Sequence, residues 1–204
     1  MKKSELEHVI RAAKEITGET EFVVIGSQAL HGAFPNLVDK LITSHECDIY
    51  IPNSPEKTEL LNSIGLLTPF AQTYGYYADP VDPETAKLPK SWPRRRIRVS
   101  SRNTNGAIYY CPSPEDLVFS KLAAGREKDF RFVQALLSRN LIKLASVRRF
   151  VAAIEDPVFQ KLMQDRLMIV TNATPDKQAQ KRLRYDPSKL SQGRSRSNRR
   201  DLGR

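Results

Sequence analysis

Apolar residues at three- and four-residue spacing open the chain. Leu6, Val9, Ile10, Ala13 and Ile16 fall on one side of a helix over Ser4–Thr17, with Ser4 placed to cap it and Gly18 to close it. Glu21–Ile25 is short, β-rich and continuously apolar after its first residue, the pattern of a buried strand. Ser27–Ala33 fits a short helix that Pro35 ends. Leu37, Val38, Leu41 and Ile42 predict a further helical turn before Ser44. His45–Ile51 then alternates, with Glu46, Asp48 and Tyr50 on one side and Cys47, Ile49 and Ile51 on the other, until Pro52 stops it. A helix starts at Asn53-Ser54-Pro55-Glu56 and runs to about Ile64, where Gly65 caps it.

The stretch from Pro69 to Pro93 carries Pro80, Pro83 and Pro89 together with Tyr74, Tyr76 and Tyr77, and reads as a long ordered loop. Arg94–Ser101 and Ala107–Cys111 form a predicted hairpin with Asn105-Gly106 at its turn. Ser113-Pro114-Glu115-Asp116 has the cap, proline and first-turn acids of a helix start, and one helix is predicted from there to about Ser138. Leu141–Ile154 and Pro157–Ile169 are two further amphipathic helices, and after Val170 the periodicity is gone. These elements predict an α/β (α+β) fold: a small mixed-sheet core over 1–112, a helical C-terminal part over 113–170 packed on it, and a basic, disordered tail over 171–204.

Composition narrows the partners. The chain has 204 residues, 40% of them hydrophobic, and a net charge of +10. From Thr174 onward ten Lys and Arg face three Asp, so the tail holds +7 of that charge and the body about +3. A polyanionic partner suits such a balance. Cys47 and Cys111 are the only cysteines and fit neither a disulfide framework nor a zinc ribbon. The three histidines share no metal-ligand spacing, and no G-x-S-x-G, Walker or G-x-G-x-x-G element is present, which disfavours zinc-enzyme, serine-hydrolase, P-loop and Rossmann chemistry. No apolar run approaches ~18 residues, so a cytoplasmic protein with no membrane partner is expected.

Candidate chemistry centres on Phe22–Ile51. Glu46 and Asp48, two apart on a strand, lie on one face roughly 6–7 Å apart, within reach of one divalent cation or a pair. The Gly26-Ser27 corner ahead of a short helix offers backbone N–H groups to a phosphate. A turn glycine and two surface strand acids are the plain alternative. Farther on, if the helix runs through Gly125, Lys128 lies about −20°, Gly125 about +40° and Asp129 about +80° from Lys121 on the helical wheel. That arc carries two lysines, an acid and a gap; a solvated face with an internal ion pair also fits it. Arg94, Arg95, Arg96, Arg98 and Arg102, near Trp92 and the three tyrosines, form a basic and aromatic mixture suited to single-stranded nucleic acid, or to an edge strand protected by charge.

Gly26-Ser27 followed by Glu46-x-Asp48 resembles the active-site signature of the DNA polymerase β-like nucleotidyltransferase superfamily. The stretch from Asp116 to Asp129, DLVFSKLAAGREKD, is similar to the second motif of the abortive-infection-type nucleotidyltransferase toxins and their relatives of unknown function. The resemblance spans about residues 20–140. It implies a nucleotidyltransferase-like core in which Gly26 and Ser27 bind the triphosphate and Glu46 and Asp48 ligate Mg²⁺. Lys121 would contact the triphosphate, Asp129 would position it or act as a base, and Arg126 and Lys128 would support them. The implied reaction moves a nucleotidyl group from an NTP to a hydroxyl of RNA, such as a tRNA 3′ end, or of a protein, with a toxin role and an antitoxin partner. A catalytically inactive RNA- or partner-binding protein on the same fold is the alternative. The chain departs from the pattern in having Glu46 where Asp is usual. It also lacks an acid on Arg94–Ser101, where the third carboxylate is expected; Asp79, Asp82 and Glu84 precede that strand and are left unassigned.

Overall fold

The computed structural model describes residues 1–37 and 42–172. Helix α1 (Lys3–Thr17) ends at Gly18, whose φ of 72° lets its N–H reach the Lys14 carbonyl. Strand β1 (Glu21–Val24) leads through a 3₁₀ turn (Ser27–Ala29) into the one-turn helix α2 (Leu30–Ala33), and β2 spans Glu46–Tyr50. Of the helical turn predicted between Leu37 and Ile42, Val38 to Leu41 lie outside the described residues, as does the tail from 173 onward.

Three predicted elements take another form. The helix expected up to Ile64 is a 3₁₀ helix, Pro55–Ile64, and Gly65 leaves it in an extended rather than left-handed conformation. The expected loop after Pro69 contains helix α3 (Pro69–Tyr74) and strand β3 (Tyr77–Pro80). β3 has only four residues, among them an Asp and a Pro, so propensity argues against it; its place at the sheet edge is where a strand tolerates proline. The single helix expected over 113–138 is two, α4 (Pro114–Ala124) and α5 (Glu127–Ser138).

Gly125 makes that break. Its φ of 69° ends α4 in the left-handed region. Arg166, from α7 (Pro157–Asn172), lays its guanidinium where a Cβ at position 125 would stand, and donates to the Leu122 and Ala123 carbonyls at 2.8 Å each. Two carbonyls left unpaired at the helix end are thereby satisfied by a side chain more than forty residues away.

Strands β4 (Ile97–Ser100) and β5 (Ile108–Cys111) pair antiparallel as expected and complete a mixed sheet of order β3-β2-β1-β5-β4. β1 pairs antiparallel with β2 and parallel with β5, and β2 pairs parallel with β3. One sheet face carries Phe22, Val24, Cys47, Ile49, Tyr109 and Cys111 and is buried under Leu6, Val9, Ile10 and Ala13 of α1. The alternation read in β2 therefore holds: its apolar side enters this core and Glu46 and Asp48 face away. A second core joins α4, α5, α6 (Leu144–Ala152) and α7, and takes in Leu30 and Ile42 from the first part of the chain. The small mixed sheet with a helical C-terminal part is the architecture expected. Among the described residues, no helix is long and apolar enough to cross a membrane.

Asp116 locks the sheet to the helices. It is 0% exposed, its carboxylate accepts from the hydroxyl of the capping residue Ser113, and it accepts from Arg95 Nη2 at 2.5 Å and Nε at 3.1 Å. The Arg95 guanidinium also lies 4.3 Å from the centre of the Phe150 ring on α6. Removing one partner leaves a buried charge unpaired, which costs about 3–5 kcal/mol. Arg95→Ala is expected to lower stability by about that amount in urea unfolding followed by circular dichroism. A loss below about 1 kcal/mol would show that the pair does not hold the two cores together.

Candidate active site

Hydrogen bonding along β1 and β2 sets the site. The Ile25 N–H donates to the Asp48 carbonyl at 2.9 Å, so the chain leaving β1 passes beside the Asp48 side chain. Gly26 stands there with φ 67° and ψ −161°. A Cβ at this position would overlap the Asp48 carboxylate. Both the backbone angle and the close approach thus demand glycine. Ser27 opens the 3₁₀ turn immediately after, and Gln28 ties that turn to the Ser44 carbonyl at 2.8 Å.

The parallel register of β2 and β3 sets Asp48 beside Asp79 and Glu46 beside Tyr77. Ala78 enters the core under α1, so Asp79 shares the open face with Glu46 and Asp48. The Tyr77 hydroxyl donates to Glu46 at 3.5 Å. Glu46, Asp48 and Asp79 therefore border one cleft of about 1120 Å³, which Gly26, Ser27 and a further acid, Glu84, also line. Asp79 was unassigned from sequence. The signal available was an acid inside the otherwise apolar run from Tyr76 to Val81, in a stretch too short and proline-rich to read as a strand.

Across the cleft stand Lys121, Arg126, Lys128 and Asp129. The α4–α5 break, rather than a continuous helical face, brings them together. Asp129 is 1% exposed and accepts from Arg126 Nε at 2.7 Å, from the Arg126 N–H at 3.4 Å, and pairs with Lys121 Nζ at 3.3 Å. Burial alone would raise its pKa; the Arg126 hydrogen bond and the Lys121 charge outweigh burial and hold it below the usual value. All eight residues expected to bind nucleotide or metal, Gly26, Ser27, Glu46, Asp48, Lys121, Arg126, Lys128 and Asp129, line this one cleft.

The basic cluster is arranged otherwise. Arg95 is committed to Asp116. The Arg96 guanidinium lies 3.9 Å from the centre of the Tyr110 ring, and Arg94 and Arg98 are exposed. Trp92 covers Tyr50 and Tyr110 on the open sheet face, while Tyr74 and Tyr76 pack with His8 and Phe70. None of Arg94, Arg95, Arg96 and Arg98 borders the cleft.

A family model described as "Nucleotidyltransferase of unknown function (DUF6036)" matches residues 4–176. The chain belongs to this nucleotidyltransferase family. No curated protein and no solved structure matches it. A nucleotidyltransferase must hold a highly charged triphosphate, and the cleft brings Lys121, Arg126 and Lys128 together with Glu46, Asp48, Asp79 and Glu84.

Hard oxygen donors of this kind suit Mg²⁺. Among the described residues, no three His, Cys, Asp or Glu side chains converge closely enough to cage an ion by themselves. Mg²⁺ in nucleotide sites takes one or two carboxylates and completes its shell with phosphate oxygens and water, so the set fits a metal that arrives with its nucleotide. The electrostatics agree: burial, then the Glu46 and Asp79 charges, push the Asp48 carboxyl up to about 6, only partly offset by Lys121 and Lys128. Burial and Glu46 also raise Asp79.

The folded nucleotidyltransferase thus holds a proton on Asp48 up to about pH 6, whereas an unfolded Asp releases it near 4. Between those values the folded state binds more protons, so stability falls as pH rises from 4 to 6, and the full penalty is present at pH 7.5. That penalty is on the order of 2–3 kcal/mol. In metal-free buffer, Asp48→Asn is expected to raise stability by about 1–3 kcal/mol at pH 7.5 and to change it little at pH 4. Urea midpoints that coincide with wild type at pH 7.5 would show that Asp48 is not strained by its neighbours.

Proposed function

We propose that the protein transfers a nucleotidyl group from an NTP to a hydroxyl on RNA, such as a tRNA 3′ end, in a Mg²⁺-dependent reaction. The observation that carries this reading is the register of β3 on β2, which sets Asp79 beside Asp48 and supplies the third carboxylate.

In this reading Gly26 and Ser27 offer N–H groups to the triphosphate, and Lys121, Arg126 and Lys128 offset its negative charge. Asp129, saturated by Arg126 and Lys121, is a positioning residue that aims those two cations; its depressed pKa makes it a poor base. Glu46 and Asp48 would hold Mg²⁺, which supplies charge neutralisation at the phosphates. The acceptor oxygen forms a bond to the α-phosphorus. The bond from that phosphorus to the α–β bridging oxygen breaks, pyrophosphate leaves with the electron pair, and Asp79 takes the hydroxyl proton. Asp79 suits the role because burial and Glu46 raise its proton affinity. Membership of the abortive-infection-type toxin branch, with an antitoxin as partner, extends this reading, and the Lys121–Arg126–Asp129 cluster beside the cleft supports it.

Incubation with each α-labelled NTP, Mg²⁺ and total RNA tests the proposal. Label is expected to enter RNA, and Asp79→Asn is expected to lower the rate about 10²–10⁴-fold with nucleotide affinity retained. Asp48→Ala is expected to reduce transfer below detection. Transfer by Asp48→Ala at the wild-type rate would sink the enzymatic reading, and RNA binding without transfer in wild type would favour an inactive binding protein.

A further inference from the structure

At about 1120 Å³ the cleft exceeds the ~300–1,000 Å³ usual for a small-molecule site, which leaves room for a second substrate. We propose that the face of α5 bearing Lys128, Arg131, Phe132 and Ala135, continued by Arg139 at the helix end, is the docking track for a single-stranded RNA acceptor. The proposal rests on the nucleotidyl-transfer reading and assigns that reaction its second subsite.

The five positions fall at i, i+3, i+4, i+7 and i+11, within an arc of about 100°, and all five border the cleft. Val133 and Leu136, about 140° and 80° round the helix from Lys128, are buried in the helical core, which fixes how the helix is rotated. From Lys128 to Arg139 the helix rises about 16 Å, so the track leads from the phosphate-binding cations away along the cleft.

The chemistry of the track suits a nucleic-acid strand. Arg131 pairs only with Glu127 among its described ion pairs, and both side chains are highly exposed, at 73% and 79%. A pair so solvated contributes little and exchanges readily for a phosphate, which a guanidinium can hold with two hydrogen bonds. Phe132 is half-buried, with Lys121 Nζ 5.6 Å from its ring centre, and offers a surface on which a base can stack beside the catalytic end. Cations with an interleaved aromatic in a concave wall favour a single strand over a duplex, whose bases are already stacked. Arg94, Arg96 and Arg98 do not border the cleft that holds Asp79.

The test uses the full-length protein and a 5′-labelled 12-nucleotide single-stranded RNA, with affinity measured across a salt series. The double variant Arg131→Ser/Arg139→Ser is expected to weaken RNA binding at least tenfold at 0.1 M salt. Its slope of log K against log salt should be smaller by about 1.4, corresponding to two lost phosphate contacts. Phe132→Ala is expected to weaken binding about 5–100-fold with the salt slope unchanged. Titration with a fluorescent ATP analogue separates the subsites: the double variant should bind it within twofold of wild type, and thermal melts confirm that both variants fold. Unchanged RNA affinity and slope in the folded double variant would overturn the track. So would losing RNA binding on replacing Arg94, Arg96 and Arg98 but not Arg131 and Arg139, or a polyglutamate peptide that binds α5 more tightly than the RNA. If instead wild type neither binds nor transfers the nucleotide while the RNA results hold, the transfer reading fails and the track stands as an RNA site.

Discussion

The acidic side of the cleft depends on how closely the Asp48 carboxylate approaches the backbone at Gly26. That approach goes with the Ile25–Asp48 hydrogen bond between β1 and β2, brings the Gly26-Ser27 corner next to an acid, and excludes any side chain at position 26. It is also costly, because burial and two neighbouring carboxylates disfavour the charge on Asp48. A carboxylate held where its charge is disfavoured is a feature of functional sites rather than of stability. The strain is tolerable because the other face of the same strands is well packed: Cys47, Ile49 and Ile51 are fully buried against α1.

The opposing wall follows a different rule. Lys121 lies in α4 and Arg126 at the start of α5, yet one buried acid, Asp129, holds both. The corner between those helices needs Gly125 and the Arg166 guanidinium that fills the space above it. The acidic wall is therefore positioned by strand register and the basic wall by helix capping. Arg95 and Asp116 join the two systems through a buried ion pair.

Legibility of the sequence followed how local each cause was. The alternation of β2 is a property of seven consecutive residues, so the orientation of Glu46 and Asp48 could be read directly. The same holds for the hairpin turn at Asn105-Gly106 and the proline-led start of α4. Strand β3 could not be read that way. Four residues with an Asp and a Pro become a strand only because β2 presents an edge to them, and Asp79 was hidden along with the strand. Arg95 looked like one member of a basic cluster because its partner, Asp116, lies twenty-one residues away. In the sequence Gly125 resembles a gap in a helical face, since the arginine that makes it a terminus belongs to the last described helix.

The Gly125–Arg166 contact bears on how such a protein can change over generations. The arginine occupies the volume that a side chain at 125 would need, and the carbonyls it satisfies are exposed only because the helix stops there. Neither residue is free to drift alone: a larger residue at 125 evicts the guanidinium, and loss of the guanidinium strands the helix end. Positions 125 and 166 should therefore covary among related sequences, a linkage that ties the last described helix to the geometry of a cleft its own residues do not line.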